Sequence, residues 1–157
     1  MSLKRSVTYV IVIILSIGVY GLSQNTNMVP NKESLRAAFE KYTEAELARN
    51  WKECYRQLLH EIQNSMTESK YIKNQESEKH YRLKRFKIIE YKELDPNKLP
   101  GKWWIIVMCG HFRKGKTVNC YIAQAEAAWE NGEWRFSDIG IATEALGAGP
   151  QLCNCSQ

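Results

Sequence analysis

An Asn-Gly pair at residues 131–132, between two runs rich in β-forming residues, constrains this fold more than any other feature of the chain. Asn-Gly is the strongest short-range signal for a type I′ hairpin turn, because both central residues must adopt positive φ. The turn predicts strands over residues 117–128 and 134–141. The register that follows pairs Trp129 with Trp134, Ala127 with Phe136 and Ala125 with Asp138.

The remaining sequence predicts helices followed by strands. Helical spacing predicts a helix from about Asn31, with one apolar face made by Leu35, Ala38, Phe39, Tyr42 and Ala45. A second helix is expected from Trp51 through Ile62, and residues 65–80 are either a loop or a short third helix. Near residue 81 the period changes towards two, which predicts strands over 81–94 and 103–112, with a bulge between Leu83 and Phe86.

This order predicts an α+β fold in which N-terminal helices pack on a curved, mainly antiparallel four-stranded sheet. Side chains alternate along strands, so one face of the sheet should carry Trp104, Ile106, Met108, Tyr121, Ala123, Ala125, Ala127, Trp129, Trp134 and Phe136. We expect that face to bury the helices. The opposite face is mixed, and Trp103, Ile105 and Val107 on it are apolar residues that point to a partner.

The five cysteines are Cys54, Cys109, Cys120, Cys153 and Cys155. If residues 114–115 form the second hairpin turn, Cys109 lies opposite Cys120. This pair is a candidate disulfide, although a hydrogen-bonded cross-strand pair has a Cα separation that suits a disulfide less well, so two free thiols are the alternative. Cys153 and Cys155 are too close together and too isolated for a structural zinc site, and we predict no metal site.

The N-terminus carries an export signal. Lys4 and Arg5 precede a largely apolar, uncharged run over residues 7–22, and Gly21 and Ser23 suit cleavage after residue 23. We expect a signal peptide or an uncleaved membrane anchor over residues 1–23, with a buried structural helix as the third alternative. A linker (24–32), a globular domain (33–146) and a flexible cysteine-containing tail (147–157) follow. Export makes the domain extracytoplasmic, either secreted or periplasmic, and tethered to the membrane if the anchor stays.

Composition argues against several function classes. The formal charge is +5, but the basic residues are interleaved with glutamates, which argues against a nucleic-acid surface. The sequence has no glycine-rich phosphate loop, no nucleophile motif and no spaced metal-ligand cluster, so no cofactor is predicted. The three histidines are expected to be solvated surface residues.

The chain resembles the nuclear transport factor 2-like superfamily, which includes ketosteroid isomerases and polyketide cyclases. Three stretches carry the resemblance: Leu-Arg-Ala-Ala-Phe at 35–39, Ala-Arg-Asn-Trp-Lys-Glu-Cys-Tyr at 48–55, and Trp-Glu-Asn-Gly-Glu-Trp-Arg-Phe-Ser-Asp at 129–138. It covers about residues 33–141. It implies a cone-shaped sheet with helices closing a pocket, and dimerisation through the exposed sheet face.

The predicted inner face offers Asp138 and Tyr42 as candidate catalytic residues, with Tyr55 as a further hydroxyl. A carboxylate on an apolar face has a raised pKa and can act as an acid or base. The alternative is that Asp138 lies at the sheet rim and bonds a backbone group or Arg135. The residues expected to line the pocket are Phe39, Tyr55, Trp104, Met108, Trp129 and Phe136.

Together these observations favour an exported, non-catalytic binding or assembly domain of the cell envelope. Its partner would be a second copy or another envelope protein, bound through the exposed sheet face. A small-molecule-binding protein, or an isomerase-like or cyclase-like enzyme that uses the cone pocket, is the alternative. A purely structural envelope domain is the third interpretation.

Overall fold

The computed structural model describes residues 29–77, 81–95, 103–142 and 150–155. In these ranges the elements are α1 (Lys32–Leu47), α2 (Trp51–Arg56), α3 (His60–Ser65), α4 (Glu68–Glu76), β1 (Arg82–Glu93), β2 (Trp103–Lys114), β3 (Thr117–Glu130), β4 (Glu133–Phe136) and β5 (Gly140–Ile141). Among these helices we find no candidate for a membrane span. The predicted signal peptide or anchor (1–23) and most of the predicted linker lie outside the described residues.

The strands form one antiparallel sheet in the order β1-β2-β3-β4, and β5 also pairs with β3. Helices therefore precede a mainly antiparallel sheet, and the predicted α+β class is confirmed at this level. The rings of Phe39 and Tyr42 on α1 lie 5.4 and 5.1 Å from the ring of Phe136 on β4. These ring contacts join α1 to β4.

The first helix begins where the sequence predicts. The Asn31 side chain accepts a hydrogen bond from the Ser34 backbone at 2.8 Å, and the Ser34 hydroxyl accepts one from the Asn31 backbone at 3.1 Å. This reciprocal cap satisfies two backbone donors that the first turn would leave unpaired.

The second predicted helix is wrong as a single element, because it divides into α2 and α3. The backbone of Leu59 donates to Phe136 at 2.8 Å, and that of Phe136 donates to Gln57 at 2.9 Å. The segment between the helices is thus held against the edge of β4 and cannot stay helical. Of the two alternatives for the segment that follows, the structure has a helix, α4.

The Asn131-Gly132 turn is confirmed: φ is 52° at Asn131 and 87° at Gly132. The predicted pairs Trp129–Trp134 and Ala127–Phe136 are also confirmed. The predicted pairing of Ala125 with Asp138 is wrong, because β4 ends at Phe136 and β5 resumes one residue out of register, with Gln124 opposite Gly140. Asp138 therefore lies in the irregular connection between the two strands.

The other hairpin turns at Gly115 and Lys116, since Lys114 pairs with Thr117. The predicted register is wrong by two residues, so Cys109 lies opposite Ile122 and Cys120 lies opposite His111. An even shift leaves each side chain on its predicted face, because the strand period is two. The predicted bulge in β1 is confirmed by the register shift between Leu83 and Arg85.

The predicted disulfide between Cys109 and Cys120 is wrong. Cys109 bonds Cys153 and Cys120 bonds Cys155, while Cys54 is a buried free thiol. The two-residue register shift moves the strand cysteines from opposite to diagonal positions. Each is then reached by one cysteine of the C-terminal segment, residues 150–155.

Candidate functional site

A cluster of acidic, tyrosine and amide side chains lies between the helices and the β4–β5 connection. The Asp138 carboxylate accepts a hydrogen bond from Gln75 Nε2 at 2.7 Å and one from the Tyr71 hydroxyl at 3.4 Å. Tyr71 and Gln75 come from α4, one helical turn apart, so one face of α4 presents both donors to Asp138. We call this group, together with Tyr42, Glu46 and Cys54, the acidic cluster.

Glu46 is the second carboxylate of the acidic cluster. Its side chain lies on the inner face of α1, and the residue is 5% exposed. Burial, and then the charge of Asp138, raise the pKa of Glu46 to about 8. Glu46 is therefore mainly a neutral acid at pH 7. The Cys54 thiol donates to Glu46 Oε2 at 3.8 Å, and burial raises the pKa of Cys54, so it stays a thiol.

The sequence candidates Tyr42 and Asp138 are brought into the same cluster. Burial raises the pKa of Tyr42 well above its usual value, and the charge of Asp138 adds to that shift. Among the described residues, the Tyr42 hydroxyl lies near Tyr71 and Asp138 without a hydrogen bond of normal geometry. This buried group therefore holds a protonated acid, Glu46, near a carboxylate, Asp138.

Tyr55, the further hydroxyl candidate, is used elsewhere. It donates to the backbone carbonyl of Met66 at 2.7 Å and contacts that of Gln63 at 3.2 Å, which ties α2 to the end of α3. The guanidinium of Arg135, the alternative partner of Asp138, contacts the carbonyl of Arg56 and the carboxylate of Glu133.

The six residues predicted to line a pocket belong to the core or pack against it. Phe39, Met108 and Phe136 are fully buried, and Trp104 is buried. Tyr55 and Trp129 are partly buried against the same cluster, and the Trp129 ring lies 5.3 Å from that of Trp134.

The opposite face of the sheet, the outer face, carries the C-terminal segment. Backbone hydrogen bonds join this segment to the edge of β3: Ile122 donates to Gln151 at 2.8 Å, and Cys153 donates to Cys120 at 3.2 Å. The two disulfides then fix the segment to β2 and β3. Residues 150–155 of the predicted tail are therefore bonded to the sheet.

A basic cleft lies where the C-terminal segment meets β1 and β2. It is lined by Arg85, Phe86, Lys87, Cys109, His111, Asn154 and Cys155, and its volume is about 120 Å³. Burial, and then the nearby Arg85 charge, lower the pKa of His111. His111, predicted to be a surface residue, is half-buried and contacts the Cys120 sulfur through Nδ1 at 3.6 Å.

The outer face also keeps the apolar residues predicted for a partner. Trp103, Ile105 and Val107, which we call the outer apolar row, are half-buried at alternate positions of β2. Trp103 pairs with Ala128, whereas the cross-strand neighbours of the other two are charged or polar: Lys92 and Glu126 beside Ile105, and Glu90 and Gln124 beside Val107.

Comparison with known proteins does not extend this description: no protein-family model, curated protein or solved structure matches the chain.

Proposed function

We propose that this chain is an exported, non-catalytic binding or assembly domain of the nuclear transport factor 2-like kind. It acts through the outer apolar row, and its partner is a second copy of the chain. The observation that carries the proposal is the composition of the outer face, where apolar side chains are flanked by both acidic and basic residues. Such a surface suits a two-fold interface, in which residue i of one copy meets residue j of the other and j meets i, so that Lys92 of one copy can face Glu90 or Glu126 of the other.

Two further features support this proposal. Large side chains on the inner side of the sheet are buried in the core, whereas the outer apolar row is half-buried. Two disulfides suit a chain that works in an oxidising compartment, as the predicted export signal requires. The resemblance to the nuclear transport factor 2-like superfamily also implies a cone-shaped curvature of the sheet.

The experiment is light scattering of the purified globular part on a size-exclusion column. We expect a dimer for the unmodified protein and a monomer for Ile105→Glu, because a charge in the centre of the interface is left unpaired. Val118→Glu is the matched control: Val118 is a 50% exposed β-branched residue on the outer face of β3, away from the outer apolar row, and should leave the dimer intact. A monomeric unmodified protein at high micromolar concentration contradicts the proposal.

The acidic cluster favours a second candidate, a small-molecule-binding protein or an isomerase-like or cyclase-like enzyme. Its specific support is a buried neutral acid, Glu46, next to the Asp138 carboxylate and the Tyr42 hydroxyl. Such an arrangement could transfer a proton if a ligand reached it. The premise is that Glu46 stays protonated at neutral pH, which pH-dependent unfolding of a Glu46→Gln variant tests.

A further inference from the structure

Sulfur atoms from two strands and the C-terminal segment converge on the outer face. Besides the two disulfides, the Cys109 and Cys155 sulfurs lie 3.5 Å apart. The ligand atoms of Cys109, Cys153 and Cys155 all lie within 4.8 Å of one another. Those of His111, Cys120 and Cys155 do so as well, so Cys155 is common to both groups.

One of these distances already suits a tetrahedral thiolate site. A zinc–sulfur bond of about 2.3 Å places neighbouring sulfurs of a tetrahedron about 3.8 Å apart. The non-bonded pair Cys109–Cys155 is already at that separation within a few tenths of an ångström. Opening the two disulfides would let the bonded pairs move apart, and Cys120, which shares a group with Cys155 but not with Cys109 and Cys153, would have to move towards those two sulfurs.

We propose that the reduced chain binds one Zn²⁺ ion through Cys109, Cys120, Cys153 and Cys155. Each disulfide takes two electrons and two protons from a dithiol, which becomes a disulfide itself, and four thiols result. Binding Zn²⁺ then releases four protons as the thiols become thiolates. The sequence pattern did not reveal this site, because Cys153 and Cys155 are far along the chain from the other two proposed ligands, Cys109 and Cys120, which lie on the β2–β3 hairpin.

The surroundings suit the charge of such a centre. Four thiolates and one Zn²⁺ carry a net charge of −2. The side chains of Arg85 and Lys87 line the basic cleft together with Cys109 and Cys155, so two cations lie beside the metal position. Cys54 belongs to neither group, since its sulfur contacts Glu46 in the acidic cluster.

The test is a Co²⁺ titration of the full chain, reduced with a phosphine under nitrogen. Co²⁺ is the spectroscopic probe because thiolate coordination gives it intense visible absorption. We expect one Co²⁺ per chain, displaced by one Zn²⁺. Cys153→Ser and Cys155→Ser should each weaken binding by roughly 100-fold or more, because a structural zinc site uses all four ligands. Circular dichroism checks that both variants remain folded.

Two controls define the ligand set. Cys54→Ser should bind as the unmodified chain does, since this thiol is not a ligand. His111→Ala should also stay within a few-fold, because four thiolates complete a tetrahedral zinc site and leave no position for the imidazole. The proposal is overturned if the reduced unmodified chain shows no thiolate absorption, or if Cys153→Ser and Cys155→Ser bind as tightly as it does. A loss for His111→Ala equal to that for Cys155→Ser would overturn the four-thiolate assignment.

Discussion

Glu46 shows how one buried side chain can make stability depend on pH. Its pKa rises from an ordinary value of 4.5 to about 8 in the folded chain, first because of burial and then because of Asp138. Between these two values the folded state binds more protons than the unfolded state. The stabilisation linked to Glu46 is therefore complete below about pH 4.5 and is lost as the pH rises to about 8.

We predict that Glu46→Gln removes this dependence. The amide keeps the shape of the neutral acid but carries no proton to lose. The variant should match the unmodified protein near pH 4.5 and become increasingly more stable above it, by up to about 1.4 kcal/mol per pH unit. Urea unfolding across this range measures the difference.

Glu44→Gln is the matched control, because Glu44 lies on the same helix but is exposed. It should leave the pH profile unchanged. If the unfolding free energy of Glu46→Gln changes with pH in parallel with that of the unmodified protein, Glu46 is ionised in the folded chain.

Part of the acidic cluster could be read from the sequence. Tyr42 follows from the apolar spacing of the first helix. Asp138 is a candidate from the hairpin register, although its predicted pairing with Ala125 is wrong. Glu46 was missed, although it stands one helical turn after Tyr42 and so shares its face. Tyr71 and Gln75 have the same four-residue spacing, but a polar segment with weak periodicity does not reveal that a carboxylate meets it from another element.

The hairpin turns are the elements that local chemistry determines most directly. Gly132 has a φ of +87°, a region that strains residues with a Cβ. We predict that Gly132→Ala lowers the unfolding free energy by about 1–2 kcal/mol. The measurement is urea unfolding at a fixed pH.

Gly140 supplies the control for this turn. An added Cβ there meets no heavy atom within 4 Å, and its φ lies outside the left-handed region. Gly140→Ala should change stability by no more than about 0.5 kcal/mol. Equal losses of unfolding free energy in both variants would show that the positive φ of Gly132 is not the cause of its loss.

Strand pairing was predictable only where the turn was unambiguous. Asn-Gly determined the register of β3 and β4, whereas the second turn contains only one glycine among lysines, and the chosen loop was wrong. The predicted inner and outer faces of the sheet are still correct, because the error in register was an even number of residues. The break between α2 and α3 could not be predicted from periodicity, since backbone pairing with β4, far along the chain, causes it.

At the scale of the whole molecule, the C-terminal segment determines what the outer face can do. Its two disulfides join it to β2 and β3 at one end of the outer face. The outer apolar row lies at the other end of that face and is not covered by this segment. The sequence could not reveal this, because five cysteines with one left free allow 15 pairings. A two-residue error in register was enough to favour the wrong pair.

The cysteine pairing is therefore the most direct test of this account. Protease digestion of the oxidised protein without reductant, followed by mass spectrometry, should find Cys109 joined to Cys153, Cys120 joined to Cys155, and Cys54 as the free thiol. A peptide that joins Cys109 to Cys120 would contradict the placement of the C-terminal segment on the outer face.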